Sequence, residues 1–455
     1  MILSFQKVIE KFSAWIWDWP LLILLIGGGL FLLFYSRFIP FKYLFHTIQI
    51  IRGKYDRKED HGELSHFEAL SSAIAATVGL GNISGVAIAI VTGGSGAIFW
   101  MWMSAIVGMA TKFFTCTLSV MYRKDVDEEN TLAGPMYVIT EGLGKKWKPL
   151  AIFFSLVGLI GVTPAFQANQ LTATFLEVLK TKPENELTTK LIIGCLIAIL
   201  VGIVIFGGLK RIGKVTSKLV PFMVIFYMIS VFIILGVNYE QIPYIFESIF
   251  SNAFTANAAL GGGLGYIIKT GVKRAAFSNE AGIGTAPMMH GHAKTKEPIR
   301  EGLVAMIGPF IDTIVVCSLT AFMILSTGIA DISDANGVAL TLKAFQSVFP
   351  NAISEILLLI AVLIFSLSTM FTFSYYGVTC LGFLTKPKYG HYYRYFYVLV
   401  IIVASAVTLD VIVNIVDSFF AMMAIPTVIS TILLAPKVRK AADIYFKKLK
   451  EGRFG

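Results

Sequence analysis

Charge, cysteine and histidine are all scarce in this 455-residue chain, and each shortage narrows its chemistry. Charged residues make up 15% of it, against roughly a quarter in soluble domains. The four cysteines (Cys116, Cys195, Cys317, Cys380) all lie in apolar stretches without a pairing frame or metal-type spacing. They read as small buried hydrophobes, which excludes a disulfide scaffold. There are six histidines; His290 and His292 flank a loop glycine, and with no third ligand in view they are expected to be solvated rather than metal-bound. No nucleophile–base or metal constellation stands out, so no enzyme and no cofactor is expected. Acidic residues are absent from 69 to 124. The glycine-rich run at 79–85 therefore lacks the acidic partner that a dinucleotide loop needs about twenty positions on, and it lacks the preceding strand as well.

What the chain has in quantity is apolar length. Hydrophobic residues reach 56%, mean hydropathy is +0.74, and runs of 18 or more apolar residues follow one another, each able to cross roughly 30 Å of hydrocarbon. The reading is an all-α membrane protein with eleven transmembrane helices, at about 20–36, 66–91, 97–121, 150–179, 190–208, 218–237, 258–289, 301–327, 352–384, 394–409 and 411–434. Residues 1–19, with Ile2, Phe5, Ile9, Phe12 and Ile16 at helical spacing, are expected to form an amphipathic interfacial helix rather than a cleavable signal. The net charge of +10 points to orientation, not to nucleic acid. With the N-terminus outside and the C-terminus cytoplasmic, 28 of the 38 Lys and Arg fall in cytoplasmic segments and six outside, while Lys112, Lys269, Lys273 and Arg274 lie within spans. That is the positive-inside bias of a multi-pass protein of the cell membrane.

Set the first span and its loop (20–60) aside and ten spans remain. They divide into a first group of five (61–240) and a second of opposite orientation (241–436), followed by a basic tail (437–455). The leading helix of each group carries Gly-x-Gly after small and polar residues: Val78-Gly79-Leu80-Gly81-Asn82 in the first, and Asn279-Glu280-Ala281-Gly282-Ile283-Gly284 in the second. Such sequences make poor continuous helix. Unwound backbone at membrane depth is tolerated only where it is buried in protein or lines a polar cavity. Matched interruptions in inverted five-helix repeats mark the binding site of a secondary transporter.

The run Gly93-Gly94-Ser95-Gly96-Ala97-Ile98-Phe99-Trp100-Met101-Trp102-Met103-Ser104-Ala105-Ile106-Val107-Gly108 resembles the signature of the alanine or glycine:cation symporter family (sodium:alanine symporters). The blocks ATVGLGNISGVA, GPMYVITEGLG and AAFSNEAGIGTAPMMHGHA are similar to that family too. The resemblance implies a leucine-transporter-like fold of 5+5 inverted repeats preceded by one extra helix. It also implies sodium-coupled uptake, proton-coupled in some members, of alanine and glycine. The Trp-rich signature is expected to pack beside the first break rather than bind substrate.

A half-helix N-terminus offers N–H donors and a positive dipole end. The substrate carboxylate is accordingly expected on the backbone of Gly79, Leu80 and Gly81, next to Thr77. The ammonium is expected at Asn279, close to Phe277. Gln170 is expected to pass the substrate, with Phe166 as an apolar wall; interhelical hydrogen bonding is the alternative for Gln170. By analogy with the fold, one sodium would take the carbonyls of Ala75 and Val78 and the hydroxyls of Ser368 and Thr369, unless those hydroxyls bond back to their own helix. A second cation could use Thr77, Asn82 and Asp312. Asp312 is otherwise a gate or ion-pathway group. Glu280 is expected to pair with Lys273 or Arg274, and Asp410 and Asp417 to lie towards the outer surface. Proton coupling through Asp312 or Glu280 is the nearest rival function, and an ion channel is a more distant one.

Overall fold

The computed structural model describes residues 2–57, 59–127, 130–255, 263–332, 335–407 and 409–453. Among the described residues, eight helices are long and apolar enough to cross a bilayer, and a bent pair, His66–Thr77 with Gly81–Gly93, makes a ninth candidate at an angle of 53°. These nine fall on nine of the eleven expected spans. The other two do not reach spanning length in the described residues. Gly263–Asn279 is a 17-residue helix carrying Lys269, Lys273 and Arg274, and Tyr393–Ala406 has 14 residues. The expected start of the former, at 258, lies outside the described residues. The last expected span is two helices, Leu409–Met422 and Ala424–Lys450, and the second continues through the basic tail.

The helices Glu186–Ile205 and Gly208–Val237 turn Leu191, Leu196, Ile199, Ile203, Phe222, Ile229 and Phe232 outward as exposed side chains. A contiguous apolar face of that size marks a surface for lipid rather than water. The N-terminal helix Ile2–Ile16 packs on Leu409–Met422 and buries Ile9. Asp18 then caps Trp19–Tyr35, its carboxylate accepting the Trp19 N–H (2.9 Å) and pairing with Lys269 (2.7 Å). Three of the four cysteines are buried as expected, but Cys195 is exposed on the outward face of its helix.

The signature segment opens the helix Gly96–Met121, which lies against Gly263–Asn279. Gly271 marks the closest approach: a Cβ there would stand 2.7 Å from the Trp100 Cβ. Trp100 donates its indole N–H to the Ala253 carbonyl (3.0 Å) and Trp102 to the Ser318 hydroxyl (2.7 Å). Both indoles therefore bind neighbouring helices, the packing role expected of them.

Three helices are interrupted near the centre. The first, His66–Thr77, starts at a capping box in which Ser65 and Glu68 satisfy each other's backbone N–H groups. It ends where Val78 turns extended (ψ 92°), and the chain resumes as a π-turn over Gly81–Gly85. The second, Gly263–Asn279, gives way to a loop with Glu280, Gly282 and Gly284 at φ of 56°, 89° and 106°, before Ala286–His290. A left-handed glutamate beside two left-handed glycines is a backbone that packing must hold in place. The third interruption was not expected. The stretch 150–179 splits into Lys148–Gly161 and Ala165–Val178 around Thr163-Pro164, where proline lacks the N–H that would continue the helix.

Candidate functional site

All three interruptions open on one small cavity. Its wall takes Thr77, Gly79, Leu80 and Gly81 from the first break and Phe277 and Glu280 from the second. Thr163, Phe166 and Gln167 come from the third, and Thr369, Phe373, Asp417 and Phe420 from the helices Asn351–Leu384 and Leu409–Met422. The two glycine-containing breaks face each other directly: a Cβ on Gly81 would lie 3.5 Å from the Phe277 ring. On Gly79 it would lie 2.7 Å from the Thr369 hydroxyl. Neither glycine has positive φ; at Gly79 closeness of packing excludes a side chain, whereas at Gly81 a Cβ would make ordinary contact with the Phe277 ring.

Four phenylalanines form one side. The rings of Phe166 and Phe277 meet edge to face (6.1 Å, 88°), Phe277 meets Phe420 at 6.2 Å, and Phe420 stacks on Phe373 at 5.9 Å. Polar atoms form the other. Two of them, Gln167 Oε1 and Asp417 Oδ1, are sealed from solvent without a hydrogen bond of good geometry, although the Trp17 indole stands beside the Asp417 carboxylate. An acceptor left in that condition costs about 1–3 kcal/mol, and both side chains line the cavity. The free volume for the centre of a water molecule is about 40 Å³. At roughly 10–15 Å³ for each water, the space suits a handful of heavy atoms.

Behind the cavity wall, Asp312 ties the two glycine-containing breaks together. It sits in a π-helical stretch, Phe310–Cys317, of the kind that often marks functional positions. Its carboxylate accepts from Asn82 Nδ2 (2.8 Å), Ser278 Oγ (2.8 Å) and Thr313 Oγ1 (2.7 Å). Asn82 in turn accepts the Gly79 N–H on its amide oxygen (2.9 Å).

Several sequence expectations meet here, and others do not. Thr77, Gly79, Leu80, Gly81, Phe166 and Phe277 come together on the cavity. Asn279 does not line it: its oxygen accepts the Ala281 N–H (3.0 Å) and its nitrogen donates to Thr313 (3.1 Å), so both ends bracket the second break. Gln170 is also off the cavity, where Gln167 stands instead. Of the expected sodium ligands, both hydroxyls bond back to Phe365 in their own helix (Ser368 2.9 Å, Thr369 3.0 Å), and Thr369 also reaches the Ala75 carbonyl (3.2 Å). The second set is only partly assembled. Asn82 touches Asp312 through its nitrogen, and Thr77 bonds back to Ala73 and Ile74.

The charge pairings expected from sequence are revised. Glu280 does not pair with Lys273 or Arg274; it is buried, accepts a hydrogen bond from Thr285, and lies within the field of Lys112. Lys273 instead faces Asp417 (4.0 Å) and lies over the Trp17 ring. Asp417 is thus a wall of the cavity as well as a neighbour of the outer helices; the Asp410 side chain lies outside the described residues. His290 and His292 are buried, not solvated. His66 and His290 share the Glu301 carboxylate, and His292 links Glu63 (3.1 Å) to Tyr375 (3.0 Å). Lys112, a lone charge in a long apolar helix, could have been flagged from sequence by that isolation. No group of three metal-ligating side chains occurs among the described residues.

The fold is that of the crystal structure of MhsT in complex with L-phenylalanine, matched with a TM-score of 0.57 over 84% of this chain and 99% of that one, at 14% identity. Sequence relatives are nearer. The sodium/alanine symporter AgcS of Methanococcus maripaludis is 37% identical over 95% of both chains. The probable sodium/glutamine symporter GlnT of Bacillus subtilis is 34% identical over 96% of this chain and 90% of its own. The model of the sodium:alanine symporter family matches residues 2–454. A polytopic helical chain, broken helices meeting at a small polar and aromatic cavity, and full-length relatives of this kind lead to one assignment: the protein belongs to the sodium:alanine symporter family and is a membrane transporter for cation-coupled movement of amino acids.

Proposed function

We propose that this transporter takes up a small neutral amino acid, alanine or glycine, driven by inward sodium. The observation that carries the reading is the cavity between the breaks. It is small and walled on one side by phenylalanines, and two of its side chains, Gln167 and Asp417, carry an acceptor oxygen without a well-formed hydrogen bond. An α-amino acid brings that donor in its ammonium, which Gln167 Oε1 and Asp417 Oδ1 receive. Its carboxylate lies at the backbone of Leu80 and Gly81, where the second half of the first broken helix begins with N–H groups and a positive dipole end. A methyl group or a hydrogen fits against Phe166 and Phe277, and the long amide side chain of glutamine does not.

The sodium ion sits beside the same break, with oxygens from Ala75, Thr369 and the adjoining carbonyl of Val78. Ion and substrate share one stretch of backbone, so each raises the other's affinity, and linkage makes that reciprocal. Alternating access follows if the broken pair of helices rocks as a unit against the rest, with the two five-helix repeats in opposite orientation, the N-terminus outside and the basic tail inside. The test is counterflow of labelled alanine in proteoliposomes. Uptake should need sodium, and full uptake with choline in its place at fixed pH would overturn the ion assignment.

Glu280 supports a second reading. A buried carboxylate on the cavity wall, within the field of Lys112 and Asp312, is suited to carry a proton. Uptake driven by a pH gradient in the absence of sodium, and lost in Glu280→Gln, would select it.

A further inference from the structure

A second, larger cavity opens among the segments that the proposed orientation places at the cytoplasmic end. Its free volume is about 500 Å³ on the measure that gives about 40 Å³ for the central one, so it is a hydrated vestibule. One helix of the central cavity's wall, and the segment that leads into another, also line it. Asn351–Leu384 presents Thr369 and Phe373 above and Tyr375, Val378 and Thr379 below, and the segment entering His66–Thr77 contributes Glu63.

The vestibule carries charge of both signs. Lys388, His391 and Arg394 line it. The half-buried Arg394 guanidinium has neither a hydrogen bond nor an ion pair among the described residues, although no planar bidentate group is better suited to a carboxylate. Glu63 also lines the vestibule, held in place by His292 and by the Thr131 N–H, both on its Oε1, and His292 is itself held by Tyr375. A fixed carboxylate and an uncommitted guanidinium lining one cavity are complementary to a zwitterion, whereas a phosphate or a simple anion would meet Glu63 as a like charge.

We propose that this vestibule is a second amino-acid site on the release path, with Arg394 taking the carboxylate and Glu63 and Tyr375 the ammonium. The inference rests on the symporter reading above. It gives the substrate leaving the central cavity a station before bulk water, so the ion-coupled site need not be weak for release to be quick.

The experiment is thiol protection on the full chain. Thr379→Cys places a thiol in the vestibule wall, in a Cys195→Ser background where the remaining native cysteines are buried. Millimolar alanine should slow maleimide labelling of that thiol several-fold. Loss of a charge-assisted hydrogen bond weakens binding about ten- to a hundredfold, so adding Arg394→Gln should abolish the protection while sodium-dependent binding at the central site keeps its Kd. Rescue by Arg394→Lys should be partial. Protection that survives Arg394→Gln would show that alanine acts from the central site by a conformational change, and the proposal falls; absence of protection in the parent overturns it too. Failure of the symporter reading would look different, as loss of sodium-dependent alanine binding in every form.

Discussion

Replacing Gln167 by leucine should move binding and stability in opposite directions. The amide oxygen is buried and has no hydrogen-bond partner, on a side chain that lines the cavity. A hydrogen bond to a charged group contributes about 1.5–3 kcal/mol, so taking it from the substrate ammonium should raise the alanine Kd roughly ten- to a hundredfold. The same change removes an unsatisfied acceptor from the ligand-free protein. That relieves up to about 1–3 kcal/mol, less whatever a cavity water already supplies. The ligand-free Gln167→Leu protein should therefore unfold at the same temperature as the parent or slightly higher, while alanine should no longer raise that temperature. Equilibrium binding of labelled alanine in saturating sodium, together with thermal unfolding with and without alanine, measures both. Gln170→Leu is the control and should change affinity little. Unchanged alanine affinity in Gln167→Leu, or a fall of several degrees in its ligand-free midpoint, would refute the reasoning.

Further outcomes follow from other contacts. Thr369→Ala removes a hydroxyl that, besides bonding Phe365 in its own helix, meets the Ala75 carbonyl at 3.2 Å, and should raise the sodium concentration for half-maximal alanine uptake several-fold; Ser368→Ala, whose hydroxyl bonds Phe365 without reaching the first break, should leave it near that of the parent. Gly282→Ala adds a Cβ 2.8 Å from the Leu25 side chain at φ 89°, a left-handed position that costs about 1–2 kcal/mol in itself. Its unfolding midpoint should fall, while Gly85→Ala, which meets nothing within 4 Å, should stay close to the parent. His46, on a helix outside the spans, is held neutral by burial and by Arg300 and Lys54, which lower its pKa from 6.5 to about 4. The unfolded chain binds the extra proton first, so the stability this histidine contributes is whole above pH 6.5 and is lost as pH falls towards 4. A pH series of thermal midpoints should show that loss in the parent and a smaller one in His46→Gln.

What the sequence disclosed is what local pattern can carry. Apolar length located nine of the spans, and Gly-x-Gly located the two facing breaks, because neither depends on distant partners. Thr163-Pro164 was an equally local signal for the third break, masked by the apolar residues on both sides. The choice between Gln167 and Gln170 turns on depth along the helix, since positions three apart share a face about one turn apart and nothing local in the sequence says which turn stands at the cavity. Asn279 was polar and adjacent to a break, a description that fits a ligand and a backbone bracket alike. The pairings of His66 with Glu301 and of Lys273 with Asp417 join residues far apart in the chain. They exist only once the helices are assembled.

The Asp312 carboxylate has a mechanical consequence. By accepting from Asn82 on one interrupted rod and Ser278 on the other, it acts as a rivet through both. Asn82 belongs to the second half of the first rod and Ser278 to the first half of the second, so a swing of either half-rod alone has to break one of these two hydrogen bonds.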